Sequence, residues 1–203
     1  MKSVVTDPNL FKSGKLFSND TLGTISWNGR EHNRLFCNEN NEGFCDIGFG
    51  LGVDTVEDGR STVFFDMDND GDLDLLVANI DDNHPARLFR NDEGNRRSWL
   101  EVRPVSAPGN IDAVGATVRV RAGGREMVRP VVAGQGYQTS YSGPVHFGLG
   151  GNEKADVVQV VFQDGTEVTL NDVPSRQTLT VYRDGRITNN PTPSKTFVSA
   201  NKQ

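Results

Sequence analysis

The stretch Val63-Phe64-Phe65-Asp66-Met67-Asp68-Asn69-Asp70-Gly71-Asp72-Leu73-Asp74-Leu75-Leu76-Val77 places five aspartates at alternate positions between two short apolar runs. A hard divalent cation takes six or more oxygen ligands at short range, and a chain wound into a tight loop can aim alternate side chains at one centre. Asp66, Asp68 and Asp70 are expected to give carboxylate oxygens, Asp72 its backbone carbonyl, and Asp74 the oxygen that closes the shell. Gly71 permits the sharp bend. Carboxylates this close raise one another's pKa unless a positive charge sits among them. The spacing therefore points to Ca2+; magnesium, which prefers a few carboxylates plus several waters, suits it less. The alternative is a solvated acidic hairpin with an Asp-Gly turn.

The flanks decide the fold class. A helix-loop-helix calcium site opens in the same way but needs a bidentate Glu at its twelfth position. Counted from Asp66, that position is Val77, and both flanking runs are strand-like. The expectation is a metal loop between two β-strands.

The pattern holds on either side. On the N-terminal side, Leu16 to Trp27 reads as a first pair of strands, Asn33 to Asn38 as a strand and Gly43 to Ile47 as its return, with a glycine-rich crossing at Gly48–Gly52. Ser61 to Phe65, Leu73 to Ile80 and Arg87 to Asn91 read as further strands. Beyond Asn95, Trp99 to Val105, Gly115 to Arg121, Arg125 to Val132, Val145 to Gly150, Asp156 to Phe162, Glu167 to Leu170 and Gln177 to Arg183 alternate apolar and polar residues. Gly123-Gly124 marks a hairpin turn. No window sustains a helical period, and 22 glycines among 203 residues suit short strands joined by tight turns. The expected architecture is all-β: a single propeller-blade-like calcium unit over residues 1–95, a small antiparallel β-sandwich or barrel over 96–186, and a flexible tail over 187–203.

A weak repeat relates Asn33-Arg34-Leu35-Phe36 to Ala86-Arg87-Leu88-Phe89, about 53 residues apart, a spacing in the range of propeller blades. Val63-Phe64-Phe65-Asp66 through Asp74-Leu75-Leu76-Val77-Ala78-Asn79 resembles the FG-GAP/VCBS repeat of integrin α-like β-propellers, whose loop binds calcium. Asp112-Ala113-Val114-Gly115-Ala116, Gly134-Gln135-Gly136-Tyr137, Val145 to Gly150, and Val160-Val161-Phe162 with Asp164-Gly165 resemble the ASPIC/UnbV domain. That order of modules is similar to the cartilage acidic protein family, including its bacterial homologues. The resemblance covers roughly residues 30 to 183 and implies a secreted, calcium-binding, cell-adhesion or matrix role with no catalytic residues. Family members carry many such repeats where this chain has about one.

Other features bound the function. The net charge of −6 argues against a nucleic-acid partner, since phosphate binding needs a basic face. No apolar run approaches the roughly 20 residues of a membrane span. The N-terminal residues are too polar for a signal peptide, so an extracellular or periplasmic location requires a signal outside this sequence. Cys37 and Cys45 flank a turn and are either a cross-strand disulfide or two reduced thiols. Asp46, Asp54-Glu57-Asp58 and Asp81-Asp82-Asn83 read as solvated turns, and His146 as a structural histidine. A lone blade leaves open sheet edges, from which a homo-oligomer is expected, with an extracellular protein or a glycan as further partner. The competing functional reading is a calcium-dependent carbohydrate-binding module that stacks sugars on Trp27, Trp99, Tyr137 and Tyr141.

Overall fold

The computed structural model describes residues 31–39, 42–80 and 85–191. The expected strand pair at Leu16 to Trp27 and the Asp81-Asp82-Asn83 group lie outside them. Strands dominate the described residues: β1 Phe36–Asn38, β2 Phe44–Asp46, β3 Gly59–Phe65, β4 Asp74–Asn79, β5 Ala86–Phe89, β6 Ser98–Val105, β7 Thr117–Ala122, β8 Arg125–Pro130, β9 Val145–Gly150, β10 Lys154–Val161, β11 Glu167–Pro174, β12 Gln177–Tyr182 and β13 Ile187–Pro191. The all-β expectation holds. The Gly48–Gly52 crossing contains one helical turn, α1 Gly48–Leu51, ended by Gly52 at φ 71°. No described helix is long and apolar enough to cross a membrane.

The chain divides into two compact units: Met1–Thr62 with Val77–Arg87, and Val63–Leu76 with Leu88–Gln203. The dividing positions fall within β3, β4 and β5, which form a three-stranded sheet in that order. In the first unit, β1 and β2 pair as a hairpin with Cys37 opposite Cys45; both thiols are free. Asp46 anchors the following turn by accepting from Gly48 N–H at 3.0 Å and pairs with Arg34 at 2.6 Å. The acidic group at 54–58 is ion-paired rather than merely solvated. Glu57 bonds Arg87, Asp58 pairs with Arg60 at 2.7 Å, and Asp54 faces His32 at 3.3 Å.

The second unit is built on two four-stranded sheets, β11-β10-β7-β8 and β13-β12-β6-β9, around one core. Strand alternation explains it. In β7, Val118, Val120 and Ala122 are buried while Arg119 and Arg121 are exposed. Leu100 and Val102 of β6, Phe147 and Leu149 of β9, Val158 and Val160 of β10, and Leu179 and Val181 of β12 meet them. Each such apolar side chain contributes about 1.5–3 kcal/mol of burial. The β7–β8 hairpin turns on Gly123 and Gly124, at φ 55° and 77°, a conformation a two-residue hairpin requires and glycine adopts without strain.

Of the two expected forms, sandwich and barrel, the sheets take the sandwich. Two features depart from expectation. The pair β6–β12 is parallel, Leu100 opposite Gln177 and Val102 opposite Leu179, against the expected antiparallel arrangement. A parallel pair needs a long connection, here supplied by β7 to β11. The region expected to be a flexible tail begins with β13, which pairs antiparallel with β12 from Val181↔Ile187 to Gln177↔Pro191 and so covers an otherwise open strand edge.

Candidate metal centre

Strand β6 does not alternate. Trp99, Leu100, Glu101 and Val102 are all buried, so both faces of this strand are covered. Leu100 and Val102 face the sandwich core. On the other face the acidic loop lies against the strand: a Cβ added to Gly71, at φ 95°, would overlap the Trp99 indole. His146, from the neighbouring strand β9, stacks on Trp99 with ring centroids 6.3 Å apart. Its Nε2 lies 2.9 Å from Gly71 O. A carbonyl only accepts, so Nε2 carries the proton. Burial pushes the His146 pKa below its ordinary value, against the weaker opposing effect of that hydrogen bond. His146 is thus a structural residue.

The loop is wound by its own backbone. Asp66 accepts from Asp70 N–H at 3.0 Å and Gly71 N–H at 2.8 Å. Asp74 accepts from Met67 N–H at 2.9 Å and Asn91 N–H at 2.8 Å. Asp70 accepts from Asp72 N–H and from the Asn95 carboxamide, and Asp72 from Asn95 N–H. Asn69 takes φ 56°, a left-handed turn position that Asn tolerates. These bonds bring carboxylate oxygens of Asp66, Asp68 and Asp74 within 4.8 Å of one another. Asp70, Asp72 and Asp74 are buried.

The electrostatics call for a counter-charge. Burial, with the Asp70 and Asp74 carboxylates nearby, pushes the Asp72 pKa up to about 6. Burial likewise raises that of Asp66, although Gly71 and Asp70 N–H groups oppose it. Asp72 Oδ1 is buried without a hydrogen-bond partner, which is costly unless something positive is nearby. An all-oxygen donor set, crowded and partly unsatisfied, fits a hard divalent cation. Asp66, Asp68 and Asp74 meet at one point; Asp70 and Asp72 are turned toward the 94–97 segment.

Several residues that shape this loop carry no local signal for it. Asn91 reads in the sequence only as the end of a strand and Asn95 as part of the turn after it, and a Cβ on Gly94 would press on Asp72 Cβ. Trp99, a candidate sugar-stacking residue by sequence, is 3% exposed. Tyr141 is half-buried and tilted against Phe65 with centroids 6.0 Å apart, whereas Tyr137 is exposed.

Comparison with known proteins matches most of the sandwich, from the residue after β6 onward. Residues 106–188 match the family described as "ASPIC and UnbV". The chain is 32% identical over 117 residues to "Cartilage acidic protein 1" of Homo sapiens, covering 56% of this chain and 18% of that protein. It is 31% identical over 140 residues to "Cartilage acidic protein 1" of Xenopus tropicalis, covering 67% of this chain and 20% of that protein. The matched stretch spans about a fifth of these relatives' own length. By sequence, then, the segment running from the end of β6 into β13 is an ASPIC/UnbV-type domain, and the chain bears a distant similarity to cartilage acidic protein 1.

Proposed function

We propose that this chain is a non-enzymatic, calcium-binding structural or adhesion-type module that works outside the cell or in the periplasm. The observation that carries the proposal is the convergence of Asp66, Asp68 and Asp74 in a loop whose remaining carboxylates are buried. In this reading Asp66, Asp68 and Asp74 hold the ion directly, Asp70 and Asp72 add negative charge, and the loop is of the FG-GAP/VCBS type. Calcium, bound by the folded state and not by the unfolded chain, stabilises the fold by mass action, about 2.7 kcal/mol at a hundredfold excess over Kd. The distant similarity to a cartilage acidic protein supports the extracellular placement. The exposed edge strand β8 is a surface on which copies of the chain can pair. Thermal unfolding in calcium and in chelator tests the reading. A rise in Tm with calcium is expected, and identical curves contradict it. Gel filtration under the same two conditions tests assembly; a monomer in both removes the oligomer from the proposal.

A further inference from the structure

We infer that Asn95 is a positioning residue for the metal loop, set in place by Arg176, and that with His146 and Trp99 it couples cation binding to the ASPIC/UnbV-type sandwich. The inference rests on the calcium reading and extends it, because it places part of the site's affinity outside the loop.

Asn95 lies in the 3₁₀ turn Gly94–Arg96 immediately before β6. It makes two donations into the acidic cluster. Its backbone N–H reaches Asp72 Oδ2 at 3.0 Å and its Nδ2 reaches Asp70 Oδ2 at 2.7 Å. A neutral carboxamide holds these carboxylates without neutralising them. With Asp72 Oδ2 engaged, Asp72 Oδ1 remains buried without a hydrogen-bond donor, so its negative charge stays uncompensated beside the three carboxylates that converge.

The turn carrying Asn95 is itself held from the start of the neighbouring strand β12. Arg176, between β11 and β12, donates through Nη1 to Asn95 O at 3.1 Å and through Nη2 to Arg96 O at 3.0 Å. Its own N–H donates to Trp99 O at 2.7 Å. Arg176 sits at φ 59°, in the left-handed region, so the chain holds an uncommon conformation where the guanidinium meets this turn. The planar fork suits two adjacent carbonyls in a way an ammonium does not. His146 to Gly71 O, with Trp99 beneath Gly71, fixes the opposite side of the loop.

The loop is therefore not self-contained. Asn95 stands 25 positions from Asp70, and Arg176, which holds the Asn95 carbonyl, stands a further 81 positions along the chain. Asn95 reaches the ligands through Asp70, whose N–H donates to Asp66 Oδ1 at 3.0 Å, and residues that orient metal ligands typically govern affinity tenfold to a hundredfold. Linkage makes the effect reciprocal: what the sandwich contributes to cation affinity, the cation returns to sandwich stability.

The test uses the full chain carrying Trp27→Phe, which leaves Trp99 as the single indole. Calcium is titrated by calorimetry and by Trp99 emission. Calcium is expected to shift the emission along the same curve as the heat. Asn95→Ala should weaken calcium binding about tenfold. His146→Gln, which keeps an N–H donor, should retain more affinity than His146→Leu. Arg176→Gln keeps the Asn95 side chain but removes the guanidinium that holds its turn, and should weaken binding by a smaller factor, which keeps the inference testable if Asn95→Ala fails to fold. If the background protein binds calcium but Asn95→Ala and Arg176→Gln bind within twofold of it and Trp99 emission is unmoved, the coupling is overturned while the calcium reading stands. If the background protein gives no heat, the calcium reading falls and the coupling with it.

Discussion

Two acidic groups of this chain, Glu57 with Asp58 and the loop Asp66 to Asp74, have met the same electrostatic problem in opposite ways. Glu57 bonds the Arg87 guanidinium and its pKa is held down to about 2; Asp58 pairs with Arg60. In the loop, Asp66 and Asp74 accept from backbone N–H groups, Asp72 from Asn95 N–H, and the Asp72 pKa is pushed up to about 6. Acidic density alone does not mark a metal site. What separates the groups is how directly a positive charge meets the carboxylates. Glu57 and Asp58 are bonded by arginines. In the loop Arg90 acts on Asp68 and Asp74 through space, and the bonds to Asp66, Asp72 and Asp74 come from backbone N–H groups, which orient carboxylates without cancelling their charge; the proposed cation would supply the rest.

The comparison can be broken at several points. The largest expected effect is at the loop's contact with β6. Gly71→Ala puts a methyl into the Trp99 indole at a positive φ, and should cost about 3 kcal/mol or more in urea unfolding. A cost below about 1 kcal/mol would show that the loop does not pack on Trp99 as described. Next is Asp68→Ala, which should erase the calcium-induced rise in Tm, a loss of about 2.7 kcal/mol at a hundredfold excess over the wild-type Kd. A mutant that keeps the full rise would remove Asp68 from the site.

The pH dependence of the cation-free protein should have opposite signs at the two groups. Asp72 has a folded pKa raised above its ordinary 3.8, so its ionisation opposes folding: the penalty is full above about pH 6 and is relieved as pH falls toward 3.8. Glu57 has a folded pKa lowered from 4.5, so its contribution is present above 4.5 and is lost as pH falls toward about 2. Asp72→Asn should flatten the stability profile between pH 4 and 6, and Glu57→Gln between pH 2 and 4.5, measured as denaturant midpoints in chelator. Profiles unchanged by either substitution would contradict the assignment. The smallest effect is that of Glu57→Gln at neutral pH, a slight fall in the denaturant midpoint with calcium affinity altered less than about twofold.

How much of this was legible in the sequence follows from how local each signal is. The acidic loop was readable because its alternating aspartates and Gly71 are contiguous and their spacing is itself the geometry. The Gly123-Gly124 turn and the strand Val145–Gly150 were readable for the same reason. The parallel pairing of β6 with β12 was not, because nothing in either strand records a partner separated from it by five other strands. Nor was the burial of Glu101, which interrupts an apolar run and accepts from Thr178 Oγ1 at 2.8 Å on that same parallel neighbour. Asn95 and Arg176 advertised only a turn and a surface charge; their roles exist only once the fold brings them to the loop. The short strand β13 was hidden by the polar composition of Thr188-Asn189-Asn190, since an edge strand needs little apolar content.

The central claim is that the loop binds calcium through converging aspartates, and titration calorimetry of the full chain tests it most directly. Wild type should give a saturable heat that Asp68→Ala abolishes and Glu57→Gln leaves in place. A wild-type isotherm that matches injection into buffer would contradict the account.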